Sequence, residues 1–319
     1  MLRSFIIYIS KANWAKNIVT NWTLGKKMAS RFIAGEKLED AIRVIEVLNS
    51  RGIYGTLDHL GEDSTTDDKA CKATGEILKA LDAITASGVR ANVSIKLSQI
   101  GLKLDYELCS NNLKAILEYA NKYDNYIRID MEDSSTTQKT LDLFYQMCRD
   151  GCNNAGIVIQ AYLYRSDADV RKLAQDGYSM RLCKGAYKEP PEVAFPHKKD
   201  VDNNYYKLAE CMMEEAQKSG VPHLSQSGKI PPLVCLATHD INCIEHGKVY
   251  AQKIGLPKGA LEFQMLHGIR RDLQEQLVQE GYPVRIYVPY GTDWYPYFMR
   301  RLAERPANVW FIMSNLLRR

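Results

Sequence analysis

Short runs of apolar or alternating residues recur along the chain, and each is followed by a longer segment with the apolar spacing of a helix. Runs of this length predict strands, and the segments between them are long enough for crossover helices. Ser134 and Ser135, Ser166 and Asp240 stand before three of these segments as helix start signals. The predicted strands number about eight and lie near residues 52–60, 89–97, 125–132, 155–163, 177–185, 232–240, 261–268 and 284–291.

A strand–helix unit repeated about eight times favours a closed barrel, since an open doubly wound sheet usually has five or six strands. We therefore expect a distorted (β/α)8 TIM-like barrel over residues 51–319, preceded by a helical N-terminal arm over residues 1–50. No linker or composition break divides the chain, which indicates a single domain overall. Two adjacent prolines and the lack of a period in residues 188–200 predict a loop over one mouth of the barrel.

The composition is that of an ordinary globular protein. The chain has 319 residues and a mass of 36.3 kDa, and it is 45% hydrophobic and 25% charged. These values exclude disorder for most of its length. Lysine and arginine total 42 against 38 aspartates and glutamates, a net charge of +4 with both signs interspersed. Nucleic acid is therefore not an expected partner.

The cysteines and the apolar runs bear on location. None of the eight cysteines forms a CxxC pair, and several stand inside apolar runs, so a structural zinc site is not expected. The apolar start of the chain is too short for a secretory signal, and no stretch approaches the roughly 18 apolar residues of a membrane span. A reducing cytoplasm is the expected location.

Several motifs with known chemistry are absent from the sequence. It contains no GxGxxG, GxxxxGK[ST], HExxH or GxSxG pattern, which disfavours a Rossmann dinucleotide site, a P-loop, a zincin and a hydrolase elbow. The histidines have no paired-ligand spacing, so a catalytic metal is not expected either.

Ionisable and aromatic residues gather where the predicted strands end. In a parallel barrel these ends form one face, which is where the active sites of such enzymes lie. Buried charges need partners, so the cluster indicates either structural ion pairs or a polar ligand. The residues are Asp58, Glu62, Lys96, Asp130, Glu132, Gln160, Tyr162, Arg181, Lys184, Tyr187, Thr238, His239, Asp240, Glu262, Gln264, His267, Tyr287, Thr292 and Asp293.

The last predicted helix carries a candidate carboxylate site. Tyr297, Arg300, Arg301 and Glu304 are spaced so that they share one face. Two guanidinium groups beside a tyrosine can bind a carboxylate through paired donors, and Glu304 can hold one of them in place. A solvated arginine pair on a surface helix is the alternative interpretation.

Taken together, these segments resemble the FAD-dependent proline dehydrogenases, in particular the monofunctional bacterial type. The resemblance covers most of the chain, and MRLCKGAY followed much later by the Tyr297 and arginine face is its most specific part. The matching segments, in order, are TLDHLGED (56–63), VSIKLSQIG (93–101), IRIDMEDS (127–134), GIVIQAYL (156–163), MRLCKGAY (180–187), LATHD (236–240), EFQMLHGIR (262–270) and YVPYGTDWYPYFMRRLAER (287–305).

The resemblance implies a flavoenzyme of proline catabolism. Such an enzyme oxidises L-proline to Δ1-pyrroline-5-carboxylate in a (β/α)8 barrel, with non-covalent FAD accepting hydride at N5. It also suggests a quinone-type electron acceptor, and with it a peripheral contact at the inner face of the membrane, in which the apolar and basic C-terminal segment NVWFIMSNLLRR could take part.

The resemblance also assigns roles to residues. Arg300 and Arg301 would bind the proline carboxylate, with Lys96 as a further cation. Asp130 would pair with Lys96 or help to order the site, and the ring would be enclosed by Tyr187, Tyr287 and Tyr297. A cation at Arg181 would stabilise the reduced flavin. The residues implied in FAD binding are Asp130, Gln160, Arg181, Lys184, Gly185, Ala186, Tyr187, Thr238, His239 and Glu262.

Three alternatives stay open. A related flavin barrel could oxidise 4-hydroxyproline or another cyclic imino acid, although Tyr287 argues against it because that wall position is typically smaller in such relatives. Another flavin barrel acting on a folate, or a flavin-free aldolase with Lys96 or Lys184 as Schiff base, is a second alternative. The third is a barrel that binds proline or flavin without turnover.

Overall fold

The computed structural model describes residues 29–304 of the chain, with side chains as far as residue 302. Eight parallel strands close into a barrel in sequence order, and β1 pairs with β8. The strands are β1 (Tyr54–His59), β2 (Ala91–Lys96), β3 (Ile127–Asp130), β4 (Ala155–Gln160), β5 (Met180–Cys183), β6 (Val234–Ala237), β7 (Leu261–Leu266) and β8 (Val284–Tyr290). The predicted (β/α)8 barrel is thus confirmed.

A helix follows each strand, and within residues 29–304 the helix α1 precedes β1. The helices are α1 (Leu38–Ser50), α2 (Asp67–Ser87), α3 (Tyr106–Asn121), α4 (Ser134–Arg149), α5 (Ser166–Gln175), α6 (Lys198–Lys218), α7 (Ile241–Ile254), α8 (Arg271–Gln279) and α9 (Trp294–Glu304), and a 3-10 turn covers Lys258–Ala260. Within the described residues, no helix is long and apolar enough to cross a membrane.

The strands are buried on both faces, which explains their nearly continuous apolar sequences. All six residues of β4 are buried, and the main hydrophobic core lies between the strands and the surrounding helices. Of the predicted helix start signals, only Asp240 is the capping residue, since Asp133 caps α4 and Arg165 precedes α5 without a side-chain cap hydrogen bond. Asp240 accepts a hydrogen bond from the Asn242 amide at the start of α7, and Gly255 ends that helix in the left-handed conformation.

The predicted N-terminal arm, residues 1–50, falls only partly in the described region. Residues 1–28 lie outside it, and so does the C-terminal segment from residue 305. Helix α1 packs against β1 and β8 as part of the outer helical layer. Ahead of it, residues 29–36, which we call the strap, run across the start of α9. The proposed boundary at residue 50 stays a prediction.

The N-terminal half of the barrel interior contains a buried ionic group. Arg285 of β8 and Glu262 of β7 are both fully buried and form two hydrogen bonds of 2.9 and 3.0 Å. Arg285 also donates to the carbonyls of Gly55 and Gly228. Arg128 is equally buried and donates to the carbonyls of Ile157 and Ser179. These contacts fill the N-terminal half of the barrel interior. Any ligand must therefore approach from the C-terminal ends of the strands.

Candidate active site

A cavity of about 430 Å³ opens at the C-terminal ends of the strands. Its volume and position are those of a small-molecule site in a barrel of this type. Contributions come from β2 to β8, from the loop after β5, and from α9. The lining residues are Lys96, Asp130, Met131, Val158, Gln160, Arg181, Cys183, Lys184, Gly185, Ala186, Tyr187, Ala237, Thr238, His239, Asp240, Gln264, Met265, Leu266, Tyr287 and Arg301.

Four polar side chains form a network on one wall of this cavity. The ammonium of Lys96 donates to Asp58 at 2.6 Å and to the Tyr287 hydroxyl at 3.1 Å. Tyr287 in turn donates to Asp130 at 2.8 Å. Lys96 and Asp130 are 3.8 Å apart, so Asp58 is the nearer partner of Lys96.

The charge of Lys96 is maintained by its neighbours. Burial acts to lower the pKa of Lys96, but the carboxylates of Asp58 and Asp130 outweigh it and place the pKa above its usual value. Lys96 therefore stays protonated, which does not suit the Schiff-base chemistry considered above, because that chemistry needs a neutral amine.

Arg181 is the most deeply buried cation of the cavity wall. Its Nη1 donates to Asp130 at 2.9 Å and to the Ser94 hydroxyl at 3.1 Å, and its Nε donates to Gln264. The Nη2 atom is buried without a hydrogen-bond partner among the described residues. A buried donor left in this way costs free energy unless a ligand accepts from it, so Arg181 indicates a ligand with an acceptor at this point.

The opposite wall is built by the ends of β4 to β7. Gln160 donates to the Glu132 carbonyl at 2.7 Å, and His239 Nε2 accepts from the Leu266 amide at 3.0 Å. Accepting at Nε2 leaves the proton of a neutral His239 ring on Nδ1. Thr238 lies beside His239 and lines the same wall.

Lys184 is held between two carboxylates, Asp202 at 2.5 Å and Asp240 at 2.6 Å. Although burial acts to lower the pKa of Lys184, these hydrogen bonds raise it above its usual value. Asp202, Asp240 and Cys243 also form a group of possible metal ligands. The ammonium of Lys184 already neutralises that group, so we assign no metal to it.

The loop after β5 brings three predicted residues to the cavity. Gly185 has a φ of +113°, and a Cβ there would lie 2.3 Å from the Tyr162 ring, so only glycine fits. The loop is fastened beyond this point: Glu189 accepts from the Ser134 amide and hydroxyl at 2.7 and 2.6 Å. Ala186 and Tyr187 are thereby held at the mouth. The loop expected over residues 188–200 is bound to the start of α4, and it ends earlier than predicted because α6 begins at Lys198.

The residues predicted to form one carboxylate-binding face on α9 lie in two different environments. Arg301 lines the cavity, and its guanidinium lies 5.2 Å from the centre of the Tyr297 ring. Tyr297 is buried in a separate cluster with the strap and does not line the cavity. Arg300 is exposed. The side chain of Glu304 lies outside the described residues.

Glu262 does not fit the expected contact with a cofactor. The structure places it below the cavity, fully buried, with both carboxylate oxygens bound to Arg285. Residues outside the initial assignment are Asp58 and Gln264. Both stand among the polar residues at the predicted strand ends. Their partners depend on the register of strands across the barrel, and a local sequence pattern carries no information on that register.

A second cavity, of about 400 Å³, lies on the outer surface between α1 and α8. Its ionic groups largely pair with one another, as Arg43 does with Asp40 and Arg51 with Glu275. It lacks the convergent buried donors found at the strand ends, which makes the barrel mouth the candidate active site.

Comparison with known proteins points to one family. A family model described as proline dehydrogenase matches residues 41–314. Proline dehydrogenase 1 of Bacillus subtilis (strain 168) is 39% identical over 323 residues, covering 100% of both chains. Proline dehydrogenase of Deinococcus radiodurans is 40% identical over 295 residues, covering 91% of this chain and 90% of the relative.

Solved structures show the same fold. Proline utilization A (PutA) from Bdellovibrio bacteriovorus, inactivated by N-propargylglycine, superposes with a TM-score of 0.79 at 24% identity. The match covers 91% of this chain and 33% of that much longer one. On the family model and the full-length relatives, this chain belongs to the proline dehydrogenase family.

Proposed function

We propose that the protein oxidises L-proline to Δ1-pyrroline-5-carboxylate with non-covalently bound FAD, as the first step of proline catabolism. The observation that carries this proposal is the convergence of Arg181, Arg301 and the Lys96 network on one cavity at the strand ends of a family member. A cavity with buried cationic donors suits an anionic amino acid beside an anionic cofactor.

The substrate carboxylate would bind to Arg301 and Arg300, with Lys96 as a further cation. Arg presents paired donors that match a carboxylate. Tyr287 and Tyr187 would enclose the pyrrolidine ring, whereas Tyr297 supports Arg301 from the buried side. Asp130 would order Tyr287 and Arg181 through the hydrogen bonds that it accepts from both.

The cofactor would lie along the ends of β3 to β6. Asp130, Gln160, Arg181, Lys184, Gly185, Ala186, Tyr187, Thr238 and His239 would hold it, and the unpartnered Nη2 of Arg181 is a donor that such a ligand could satisfy. When bound there, FAD would supply the hydride acceptor, its N5, for the oxidation of proline at C5. Glu262 is left out of this set because of its position.

The reaction also requires loss of a proton from the substrate nitrogen, since a C=N bond forms as C5 loses hydride. The lining carboxylates Asp130 and Asp240 accept hydrogen bonds from Tyr287, Arg181 and Lys184. The nearby Asp58 accepts from Lys96. We therefore propose that the amine binds already deprotonated, so that the rate rises with pH.

On the family alone, we propose a quinone-type acceptor that reoxidises the flavin, with a peripheral contact at the inner face of the membrane. The C-terminal segment considered for that contact lies outside the described residues. The proposed location of the protein is otherwise the cytoplasm.

The decisive experiment is an anaerobic absorbance spectrum of the purified protein before and after addition of L-proline. We expect oxidised flavin bands that L-proline bleaches, with 4-hydroxyproline as the comparison substrate. Bleaching by 4-hydroxyproline in preference to proline would instead support the alternative imino-acid oxidase. A protein that stays colourless after FAD is added back, or flavin that proline leaves oxidised, would contradict the proposal.

A further inference from the structure

A continuous line of hydrogen bonds connects the buried ionic group of the barrel with the cavity wall. Arg285 donates to Glu262, Gln264 donates to the same carboxylate at 2.5 Å, and Arg181 donates from Nε to the Gln264 oxygen. Glu262 and Gln264 stand two residues apart on β7, so their side chains point to the same side of the strand.

The orientation of the Gln264 amide is fixed by this line. Glu262 bound to Arg285 is a carboxylate that can only accept, so the NH2 group of Gln264 must face it. The amide oxygen must then face Arg181, whose guanidinium can only donate. Gln264 is only 4% exposed, so water does not supply alternative partners. A rotated amide would place its oxygen against the Glu262 carboxylate and its NH2 group against the Arg181 guanidinium, and neither contact is a hydrogen bond.

Gln264 also separates Arg181 from a second carboxylate. Without the amide between them, the Nε edge of Arg181 would face the Glu262 carboxylate to which Gln264 now donates. The existing hydrogen bonds direct Nε toward Gln264, and they direct Nη1 toward Asp130 and Ser94. That arrangement leaves Nη2 as the donor for a ligand.

We propose that Gln264 is a positioning residue that holds Arg181 for the flavin, and that Glu262 acts on the cofactor only through Gln264. The inference rests on the proposed function, because it presumes that FAD binds in this cavity. A cation held beside the flavin favours its anionic reduced form over the oxidised form. Loss of the positioning amide should therefore lower the reduction potential of the bound flavin.

Two variants test this by titration of the flavin potential against a reference dye. In Gln264→Met the amide is lost without a change in charge, and Arg181 is free to turn toward Glu262. In Gln264→Glu a carboxylate competes directly for Arg181. We expect the preference for reduced over oxidised flavin to fall about tenfold in both, which is a drop of about 30 mV for this two-electron couple.

Gln274→Met is the matched control. Gln274 is a buried glutamine on α8 that donates to the Ile269 carbonyl, away from the cavity. Its loss should lower thermal stability comparably and leave the flavin potential unchanged. A purely electrostatic role for position 264 would lower the potential in Gln264→Glu alone, so a wild-type potential in Gln264→Met would overturn the inference.

The two proposals fail in distinguishable ways. If the wild-type protein binds FAD and is bleached by proline while the variants keep its potential, only the positioning role is wrong. If the wild-type protein binds no flavin, both are wrong. Loss of flavin from both position 264 variants, with retention in Gln274→Met and an unchanged circular dichroism spectrum, would support the positioning role through FAD affinity.

Discussion

Arg301 is the single side chain on which the proposed substrate site depends most. It is the described residue of α9 that lines the cavity, and the Tyr297 ring lies beneath its guanidinium. Arg300 is next to it in sequence but is exposed. The two arginines therefore differ in how far water screens their charge, and equal contributions to binding are not expected.

The change Arg301→Met should raise KM for proline by roughly 30- to 1000-fold, since removing one side of a charged carboxylate contact costs about 2–4 kcal/mol. The visible spectrum and the FAD content should stay as in the wild type. Arg300→Met is the matched control and should give a clearly smaller rise. Steady-state kinetics at saturating acceptor make the measurement, and equal KM values for wild type and Arg301→Met would contradict the assignment.

At the scale of elements, the strap connects the N-terminal part of the chain to the helix that carries Arg301. The Ala34 amide donates to the Pro289 carbonyl, and the Gly291 amide donates to the Gly35 carbonyl. The Trp294 indole donates to Glu36 at 3.2 Å, and Phe32 packs against Phe298 with ring centres 6.3 Å apart. The start of α9 is thus fixed by the strap as well as by β8.

Phe32→Ala should loosen α9 and raise KM for proline severalfold, because the ring fills the contact between the strap and this helix. Such truncations of buried aromatic residues cost about 3–5 kcal/mol. The control is Phe144→Ala in α4, which removes a fully buried ring far from the cavity. It should lower the melting temperature and leave KM unchanged. A KM in Phe32→Ala no higher than in Phe144→Ala would show that the strap only stabilises the fold.

The elements themselves were largely predictable from the sequence. Strands buried on both faces have continuous apolar runs, and Asp240 and Gly255 supply local signals for the ends of α7. The strand-end rule also led to Lys96, Arg181 and Tyr287 without any contact information. Pairings across the barrel were not predictable, since they depend on strand register. Asp130, expected to pair with Lys96 or to order the site, lies 3.8 Å from Lys96, but Asp58 is the nearer partner. Glu262 was expected at the cofactor and lies below the cavity, bound to Arg285.

Tyr297 illustrates the same limit on a helix. Spacing along the sequence places Tyr297 on the same face of α9 as Arg301. That face contacts two different parts of the molecule, the strap and the cavity. The strap covers the part that bears Tyr297, whereas the cavity opens beside Arg301. Residues far apart in sequence decide this division, so the periodicity of α9 alone could not show it.

At the scale of the whole molecule, the barrel is closed by contacts between its first and last strands. β1 and β8 pair over Tyr54–His59 and Arg285–Tyr290. The Arg285 side chain reaches across this seam to the Gly55 carbonyl at 2.8 Å, and it also binds the Gly228 carbonyl in the loop before β6. With Glu262 it therefore joins β7, β8 and β1 below the cavity.

Arg285→Met should lower the free energy of unfolding by about 3–5 kcal/mol, because it leaves the Glu262 carboxylate buried without its cation. Chemical denaturation followed by circular dichroism measures the loss. The matched control, Arg51→Met, removes an exposed pair with Glu275 and should cost less than about 1 kcal/mol. Adding Glu262→Met to Arg285→Met should recover part of the stability, since no unpaired charge then remains buried. If Arg285→Met and Arg51→Met were equally stable, the seam contacts of Arg285 would not stabilise the closed barrel.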